Sequence, residues 1–227
     1  MGTTRLLLFR QAVYVHMKAV LVNYCFDPRD WWLDYGFKPE DVTLYDRSDD
    51  KIQRTFAAKT FKTENKGDVD SDKLGYLIEN YENLPDVFLW SKTNIFKFVD
   101  EDTLKTALQS GKFAPLMKKD HRIYSDRFGA VNRYRGGIYE ERANSWFFNA
   151  GLDNSGRFKS WQEWAETFNL PLTNFIPFAP GGSYLLTKER VHRYSKDFYI
   201  KMRDTLMYAA HPVEAHCCER SYYLLWR

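Results

Sequence analysis

Short apolar runs that end in polar residues organise the first half of the chain. They lie at residues 18–23, 41–45 and 86–90, and each continues into a loop rich in charged, hydroxyl or amide side chains. Continuous apolar runs of this length are typical of strands buried on both faces of a sheet. The pattern therefore predicts three buried strands.

Segments with helical spacing separate these strands. Residues 31–35 follow Asp30, which is interpreted as the N-cap of a short helix. Apolar residues recur every three or four positions over 73–81, which predicts a helix capped by Ser71 or Asp72, and another helix is predicted over 103–110. This alternation predicts an α/β fold with a mostly parallel central sheet flanked by helices.

The second half of the chain is more irregular. Residues 117–142 interleave basic and aromatic side chains, which predicts a long surface loop or an irregular β segment. Helices are predicted at 161–168, at 188–193, at 195–210 and after 212, and a strand is predicted after the glycine pair at 181–182. We interpret residues 17–227 as one domain, with a nucleotide-binding half at 17–111 and an acceptor half at 112–227.

Composition narrows the functional classes. The chain has 227 residues, of which 44% are hydrophobic and 17% aromatic, so a substantial core is expected. Thirty-three Lys and Arg balance thirty Asp and Glu to a net charge of +3, which is too small to indicate a nucleic-acid protein. We expect no nucleic-acid partner, although the basic and aromatic stretch at 118–139 would also suit a single-stranded nucleic acid.

The cysteines and the N-terminal segment bear on localisation. Three cysteines without CxxC spacing favour a reducing compartment, so we expect a cytoplasmic protein, either free or peripheral to a membrane. Charged residues interrupt the apolar stretch at 6–22, and no transmembrane segment or signal peptide is predicted. Because Met17 directly precedes the first strand, residues 1–16 are expected to be a dispensable N-terminal extension.

Charged residues also interrupt the apolar C-terminal run. Glu214, His216, Glu219 and Arg220 fall within seven positions of a predicted helix that ends in Leu-Leu-Trp. The apolar end of this helix requires burial, so at least one charged group must lie at the edge of the core or in a cleft. Carboxylates in such places often have perturbed pKa values and take part in function.

Three segments resemble a poorly characterised family of glycosyltransferase-like proteins. They are NYCFDPRDWW at 23–32, YLIENYENLPDVFL at 76–89, and PGGSY at 180–184 together with the Glu214–Arg220 segment. That family is similar to the GT-A class of nucleotide-sugar-dependent transferases. The resemblance implies transfer of a sugar from a nucleotide-sugar donor to a glycan, a lipid-linked acceptor or another hydroxyl, as in glycan biosynthesis.

The resemblance also implies roles for individual residues. Donor-binding residues would be Asn23, Tyr24, Asp27, Asp46, Arg47, Lys92 and Asn94. The acceptor or the diphosphate would contact Arg127, Gly181, Gly182, His216 and Arg220. Glu214 is the first choice for the catalytic base and Glu219 the second.

Each of these roles has a structural alternative. Glu214 suits the first turn of a helix through the helix dipole, and Glu219 suits an ion pair with Arg220. Asp46 suits an Asx turn, and His216 suits an ordinary polar contact. The glycine pair at 181–182 suits a tight turn as well as close approach to a substrate.

Metal dependence stays open at this level. GT-A enzymes commonly hold Mn²⁺ or Mg²⁺ with an Asp-x-Asp motif after a central strand, but the matching strand here ends in WSKTN at 90–94. Asp49 and Asp50 are substitute ligands, and so is the run Asp68, Asp70 and Asp72, although that run is more typical of turn and cap chemistry. The competing classes are a non-catalytic carbohydrate or nucleotide-binding module and a Mg²⁺-dependent phosphodiester enzyme. The phosphodiester enzyme would require Asp49, Asp50, Asp68 and Asp70 to converge in space.

Overall fold

The apolar runs form the interior strands of a six-stranded sheet. The structure is a computed structural model and describes residues 17–23, 30–48, 59–118, 132–135, 137–149 and 152–227. The strands are β1 Lys18–Asn23, β2 Val42–Asp46, β3 Lys59–Lys62, β4 Val87–Lys92, β5 Ala114–Leu116, β6 Asn132–Arg135, β7 Ile138–Arg142, β8 Phe175–Phe178 and β9 Ser183–Thr187. The α-helices are α1 Trp31–Asp34, α2 Asp68–Glu79, α3 Glu101–Ser110, α4 Trp161–Thr167, α5 Lys188–Val191, α6 Lys196–Asp204 and α7 Glu214–Trp226.

The sheet has the strand order β3-β2-β1-β4-β9-β5. Strand β1 is parallel to β2 and to β4, and β2 is parallel to β3. Strand β9 runs antiparallel to both of its neighbours, β4 and β5. The prediction of an α/β fold with a mostly parallel central sheet flanked by helices is therefore confirmed, in a single compact domain.

Alternating side chains of the central strands build a core on each face of the sheet. Val20, Val22 and Trp90 point to the face covered by α2 and α7, while Ala19 and Leu21 point to the face covered by α1 and α3. Successive residues of a strand point to opposite faces, and both faces are apolar here. The continuous apolar runs are explained by this double burial.

A second, three-stranded sheet with the order β6-β7-β8 lies against α7. A buried ion pair joins them, because the Arg220 guanidinium of α7 donates to both carboxylate oxygens of Glu141 in β7, at 2.6 and 2.9 Å. The rings of Phe147 and Phe178 lie 4.8 and 4.7 Å from the guanidinium. This pair fixes α7 between the two sheets.

Several element boundaries differ from the sequence-based predictions. Helix α2 begins at Asp68 rather than after Ser71, because Gly67 adopts a left-handed conformation that starts the helix one turn earlier. Helix α6 ends at Asp204 instead of continuing to residue 210. Strands β5 and β9 belong to the main sheet although they follow residue 111, so the sheet extends across the predicted boundary between the halves.

No helix in the described part of the chain is long and apolar enough to cross a membrane. The predicted N-terminal extension at 1–16 lies outside the described residues.

The ion pair between Arg220 and Glu141 is expected to contribute strongly to stability. Glu141→Gln removes the charge that compensates a buried guanidinium, so the free energy of unfolding should fall by about 3 kcal/mol in urea denaturation. The exposed carboxylate of Glu189 provides a matched control, and Glu189→Gln should change stability by less than about 0.5 kcal/mol. Equal effects of the two substitutions would contradict this assignment.

Candidate functional site

The candidate site lies at the carboxyl ends of β1 and β4. These strands are parallel neighbours, and the chain leaves β1 towards β2 on one side while β4 lies on the other. Adjacent parallel strands whose connections diverge leave a crevice beyond their carboxyl ends, where ligands of open α/β sheets bind. Residues at this edge are therefore the first place to look for function.

A cluster of charged side chains lies beside this edge, on the face covered by α2 and α7. Its members are Asp70 and Lys73 of α2, Lys92 at the end of β4, and Glu219 of α7; we call it the charged cluster. Asp70 and Lys73 are almost completely buried. Lys92 is close enough to the other three to influence their pKa values.

The Lys73 ammonium is the most deeply buried charge in the cluster. It donates to the Gly182 carbonyl oxygen at 2.5 Å and lies 4.0 Å from the ring centroid of Trp90. Burial disfavours its charged form and lowers the pKa of Lys73 to about 8, against the opposing effect of Asp70. This lysine is therefore closer to titration at physiological pH than an exposed lysine.

Asp70 is the neighbouring carboxylate on the same helix. It accepts a hydrogen bond from the Tyr222 hydroxyl at 2.7 Å. Burial raises the pKa of Asp70 to about 6, although Lys73 and Lys92 act in the opposite direction. The cluster thus holds an acid and a base whose pKa values approach each other.

Glu219 faces the same cluster from α7. Its carboxylate accepts from the Gly181 amide at 2.6 Å and from Arg220 at 3.1 Å. Burial alone would raise the pKa of Glu219, but the cations Arg220 and Lys92 outweigh it and hold the pKa below its usual range. Glu219 is consequently ionised at neutral pH, and its side chain keeps 19% of its exposure.

The glycine pair links Lys73 to Glu219. Gly181 and Gly182 have φ angles of +83° and +62°, which favour glycine, and the turn presents one amide and one carbonyl to the two charged groups. A Cβ at position 182 would lie 3.4 Å from the Lys73 nitrogen. The glycine turn therefore holds Lys73 and Glu219 in position within the charged cluster.

His216 and Arg220 form the second layer behind Glu219. The His216 ring stacks on Phe147 at a centroid distance of 5.7 Å, and its Nδ1 lies 3.2 Å from an Arg220 nitrogen. Burial and the Arg220 charge lower the pKa of His216 to about 4. The ion pair predicted between Glu219 and Arg220 is present, and its guanidinium is shared with Glu141.

The structure places Glu214 away from the charged cluster. Its side chain is fully buried and accepts from the Tyr208 hydroxyl at 2.6 Å and from the Phe158 amide at 3.4 Å. Glu214 does occupy the first turn of α7, as its structural alternative requires. In this arrangement its carboxylate does not face solvent, whereas that of Glu219 partly does.

Two predicted donor residues at the end of β2 have internal partners. Asp46 is buried, forms an ion pair with Lys62 at 2.6 Å and accepts from the Ser48 amide, which is the Asx-turn alternative. Arg47 is buried against Asp72 at 2.9 Å. Asp46 thus joins β2 to β3 and Arg47 joins the end of β2 to α2, and a role in donor binding would require them to exchange these partners.

The acidic residues at the start of α2 do not converge on one point. Asp68 accepts from the Val69 amide and lies 3.7 Å from His211, Asp70 binds Tyr222, and Asp72 binds Arg47 and Thr63. In the described ranges, no group of three His, Cys, Asp or Glu side chains could hold a metal ion. Asp68 keeps a local contact at the helix start, but Asp70 and Asp72 lie inside α2, whose N-cap is Gly67 without a side-chain capping bond, so the turn and cap prediction is wrong for these two residues.

Several predicted site residues lie at the edge of the described residues or outside them. The backbone of Asn23 ends β1 beside Asp46 of β2. The predicted donor residues Tyr24 and Asp27, the substitute metal ligands Asp49 and Asp50, and the predicted diphosphate contact Arg127 lie outside the described residues.

Two clefts lie outside the charged cluster. A cleft of 670 Å³ lies at the end of β4 on the opposite face of the sheet and includes Asn94, a predicted donor residue. A larger cleft of 1020 Å³ is lined partly by aromatic residues, among them Phe198 and Tyr208. Tyr208 lies between this cleft and the buried Glu214.

Sequence reasoning missed Lys73 as a member of a site and considered Asp70 only as a metal ligand or a turn residue. Asp70, Lys73 and Leu77 lie three or four residues apart, so they share the face of α2 that packs on the sheet. A lysine and an aspartate on the buried face of an amphipathic helix were the available signal. The expected helix start near residue 72 concealed it, because it placed Asp70 before the helix.

Comparisons of the chain with protein-family models, with curated proteins and with solved structures find no match.

Removing Lys73 alone should destabilise the protein more than removing Lys73 and Asp70 together. Lys73→Met leaves the Asp70 carboxylate buried without its nearest cation, and we expect the free energy of unfolding to fall by about 3 kcal/mol or more. Adding Asp70→Asn should restore at least about half of that loss, because no buried charge is then left uncompensated. Urea denaturation at pH 7 measures both, and additive losses would contradict the coupling.

Proposed function

We propose that the protein is a glycosyltransferase of the GT-A type, which moves a sugar from a nucleotide-sugar donor to a glycan or another hydroxyl acceptor. The observation that carries the proposal is the position of the charged cluster beside the crevice between β1 and β4. An open α/β sheet binds nucleotides at such a crevice. Of the segments that resemble glycosyltransferase-like proteins, the glycine pair at 181–182 and Glu219 contribute to this cluster.

Lys92 is the proposed partner of the donor diphosphate. It ends a central strand, lies near enough to Asp70 and Glu219 to influence their pKa values, and has a ring contact with Phe98 at 5.9 Å. A cation placed near a leaving diphosphate stabilises the negative charge that develops as the bond to the sugar breaks. The buried Lys73 ammonium adds positive potential to the same cluster, but it stays bound to the Gly182 carbonyl oxygen.

Glu219 is the proposed catalytic base. In an inverting transfer the carboxylate takes the proton of the acceptor hydroxyl while that oxygen bonds to the anomeric carbon and the diphosphate departs. Glu219 is ionised, partly exposed and next to Lys92, whereas Glu214 is enclosed by protein. This order of preference reverses the one based on sequence.

The cleft of 1020 Å³ is the proposed acceptor site. It combines the aromatic rings of Phe168, Phe198 and Tyr208 with polar side chains such as Lys201 and Asp204. Rings with neighbouring polar groups suit the apolar faces and the hydroxyl groups of sugars. The Tyr208–His211 segment joins this cleft to the start of α2, where Gly67 and Asp68 donate to the carbonyls of residues 209 and 210.

Nucleotide binding is the first test of the proposal. Wild-type protein should be heated with UDP, GDP, ADP, CDP and the corresponding nucleotide sugars, with and without Mn²⁺. A ligand that binds only the folded state raises its apparent stability, and saturation at about 100 times Kd adds about 2.7 kcal/mol. At least one nucleotide sugar should raise the melting temperature. The absence of any shift would remove the transferase proposal, and a shift only with Mn²⁺ would establish metal dependence.

The second test concerns the base. With the donor and acceptor identified, Glu219→Gln should lower kcat by about 100-fold or more, because the amide cannot accept the proton. It should leave the nucleotide Kd within about threefold, since Gln keeps an oxygen for the Gly181 amide. Glu214→Gln is the matched variant on the same helix. A loss confined to Glu214→Gln would return the role of base to that residue.

A further inference from the structure

The most informative group outside the charged cluster is Asp30, which precedes α1. Its sequence position suggested an N-cap, but its side chain makes no capping hydrogen bond. Its Oδ1 atom is buried and has no hydrogen-bond partner among the residues that the structure describes. A buried carboxylate oxygen without a partner is costly, which makes it a candidate for contact with a ligand.

Asp30 lines the cleft of 670 Å³ at the end of β4. This volume lies within the range of about 300–1,000 Å³ that is typical of small-molecule sites. The Trp31 indole donates to the Thr93 carbonyl oxygen at 2.7 Å, which fixes α1 to the segment after β4. The partly exposed ring of Phe96 packs edge-on against Trp31 and forms an apolar wall.

The charges of this cleft differ from those of the charged cluster. Its lining among the described residues contains three carboxylates, Asp30, Asp34 and Glu101, and one cation, Lys97. An excess of negative charge repels a diphosphate but suits groups that donate hydrogen bonds, such as hydroxyls. The lysines of the charged cluster lie on the other face of the same sheet edge.

We infer that this cleft holds the nucleoside of the donor, with the Asp30 carboxylate accepting hydrogen bonds from the ribose hydroxyls. The inference rests on the proposed function and extends it to the recognition of the donor. The nucleoside lies on the α1 and α3 face, and the diphosphate passes over the ends of β1 and β4 to Lys92. Asp30 thus binds the donor in place of Asp46, a predicted donor residue whose carboxylate is already bound by Lys62 and Ser48.

Burial raises the pKa of the Asp30 carboxyl, as expected of a group that lacks compensating donors in the free protein. Ribose hydroxyls would supply those donors. Binding of the nucleoside should therefore favour the ionised carboxylate.

The test compares ribonucleotides with their deoxy forms by isothermal titration calorimetry. The probes are UDP, GDP, ADP and CDP, each with its 2′-deoxy and 3′-deoxy counterparts. The wild-type protein should bind its preferred ribonucleotide about 10- to 100-fold more tightly than at least one deoxy form, the range expected for a hydrogen bond to a charged group. Equal affinities for all three forms would overturn the inference without any variant.

Variants then assign the preference to Asp30. Asp30→Asn and Asp30→Ala should weaken binding of the ribonucleotide by about tenfold or more and abolish the preference over the deoxy form. The exposed Asp102 of α3 does not line this cleft, and Asp102→Asn is the matched control with unchanged affinity. A preserved preference in the Asp30 variants would overturn the assignment.

Urea denaturation separates a ligand role from a structural one. If Asp30 contacts the ribose, Asp30→Asn should leave the stability of the free protein unchanged or raise it, whereas loss of a helix cap would lower it. Failure of every nucleotide to bind the wild-type protein would remove the transferase proposal and this inference together. Nucleotide binding that is indifferent to Asp30 and to the ribose hydroxyls would remove only the inference.

Discussion

The arrangement of the candidate site depends on the burial of one ammonium group. Lys73 is fully enclosed, and a buried charge is tolerated only when hydrogen bonds and an opposite charge compensate for lost water. The Gly182 carbonyl, the Trp90 ring and Asp70 provide that compensation. They come from the turn before β9, from β4 and from α2, so satisfying one charge fixes the relative positions of three elements.

The same requirement extends from Lys73 to the second sheet. Gly182 is held by Lys73, and the preceding Gly181 amide is held by Glu219. Glu219 binds Arg220, whose guanidinium is anchored by Glu141 in β7. A chain of hydrogen bonds and ion pairs therefore links α2, the glycine turn, α7 and β7. A displacement of α7 would disturb the charged cluster, and a disturbance in the cluster would be felt by the ion pair at β7.

The main features of the fold could be predicted from local patterns. Strands β1 and β4 are apolar on both faces, and a run such as Lys18–Asn23 shows this without knowledge of its neighbours. Strand β3, with all four side chains exposed, has no apolar signal, and only its pairing with β2 makes it a strand. The placement of β9 between β4 and β5 depends on contacts between distant parts of the chain, which local periodicity does not report.

The partners of the candidate site residues could be predicted less well than the fold, for a related physical reason. The type of a residue suggests a functional role, but its partners within the folded protein decide whether its charge is available to a ligand. Asp46 and Arg47 have the right chemistry and the right strand end, yet Lys62 and Asp72 already compensate them. Glu214 and Glu219 are alike as residues on one helix, and only the fold distinguishes the enclosed carboxylate from the partly exposed one.

Charged side chains whose partners lie within the protein maintain the fold, whereas those with few such partners are available for chemistry. Arg220 and Arg47 have their charges matched by carboxylates in the protein, so an added anion would gain little from them. Lys92 and Asp30 differ: Lys92 ends β4 near Asp70 and Glu219 but makes no hydrogen bond to either in the described ranges, and Asp30, which precedes α1, has a buried oxygen without a hydrogen-bond partner there. A nucleotide is itself divided into an anionic diphosphate and a hydroxyl-bearing nucleoside. The cationic group on one face and the acidic cleft on the other match that division, which is the strongest physical reason to look for a nucleotide across this edge of the sheet.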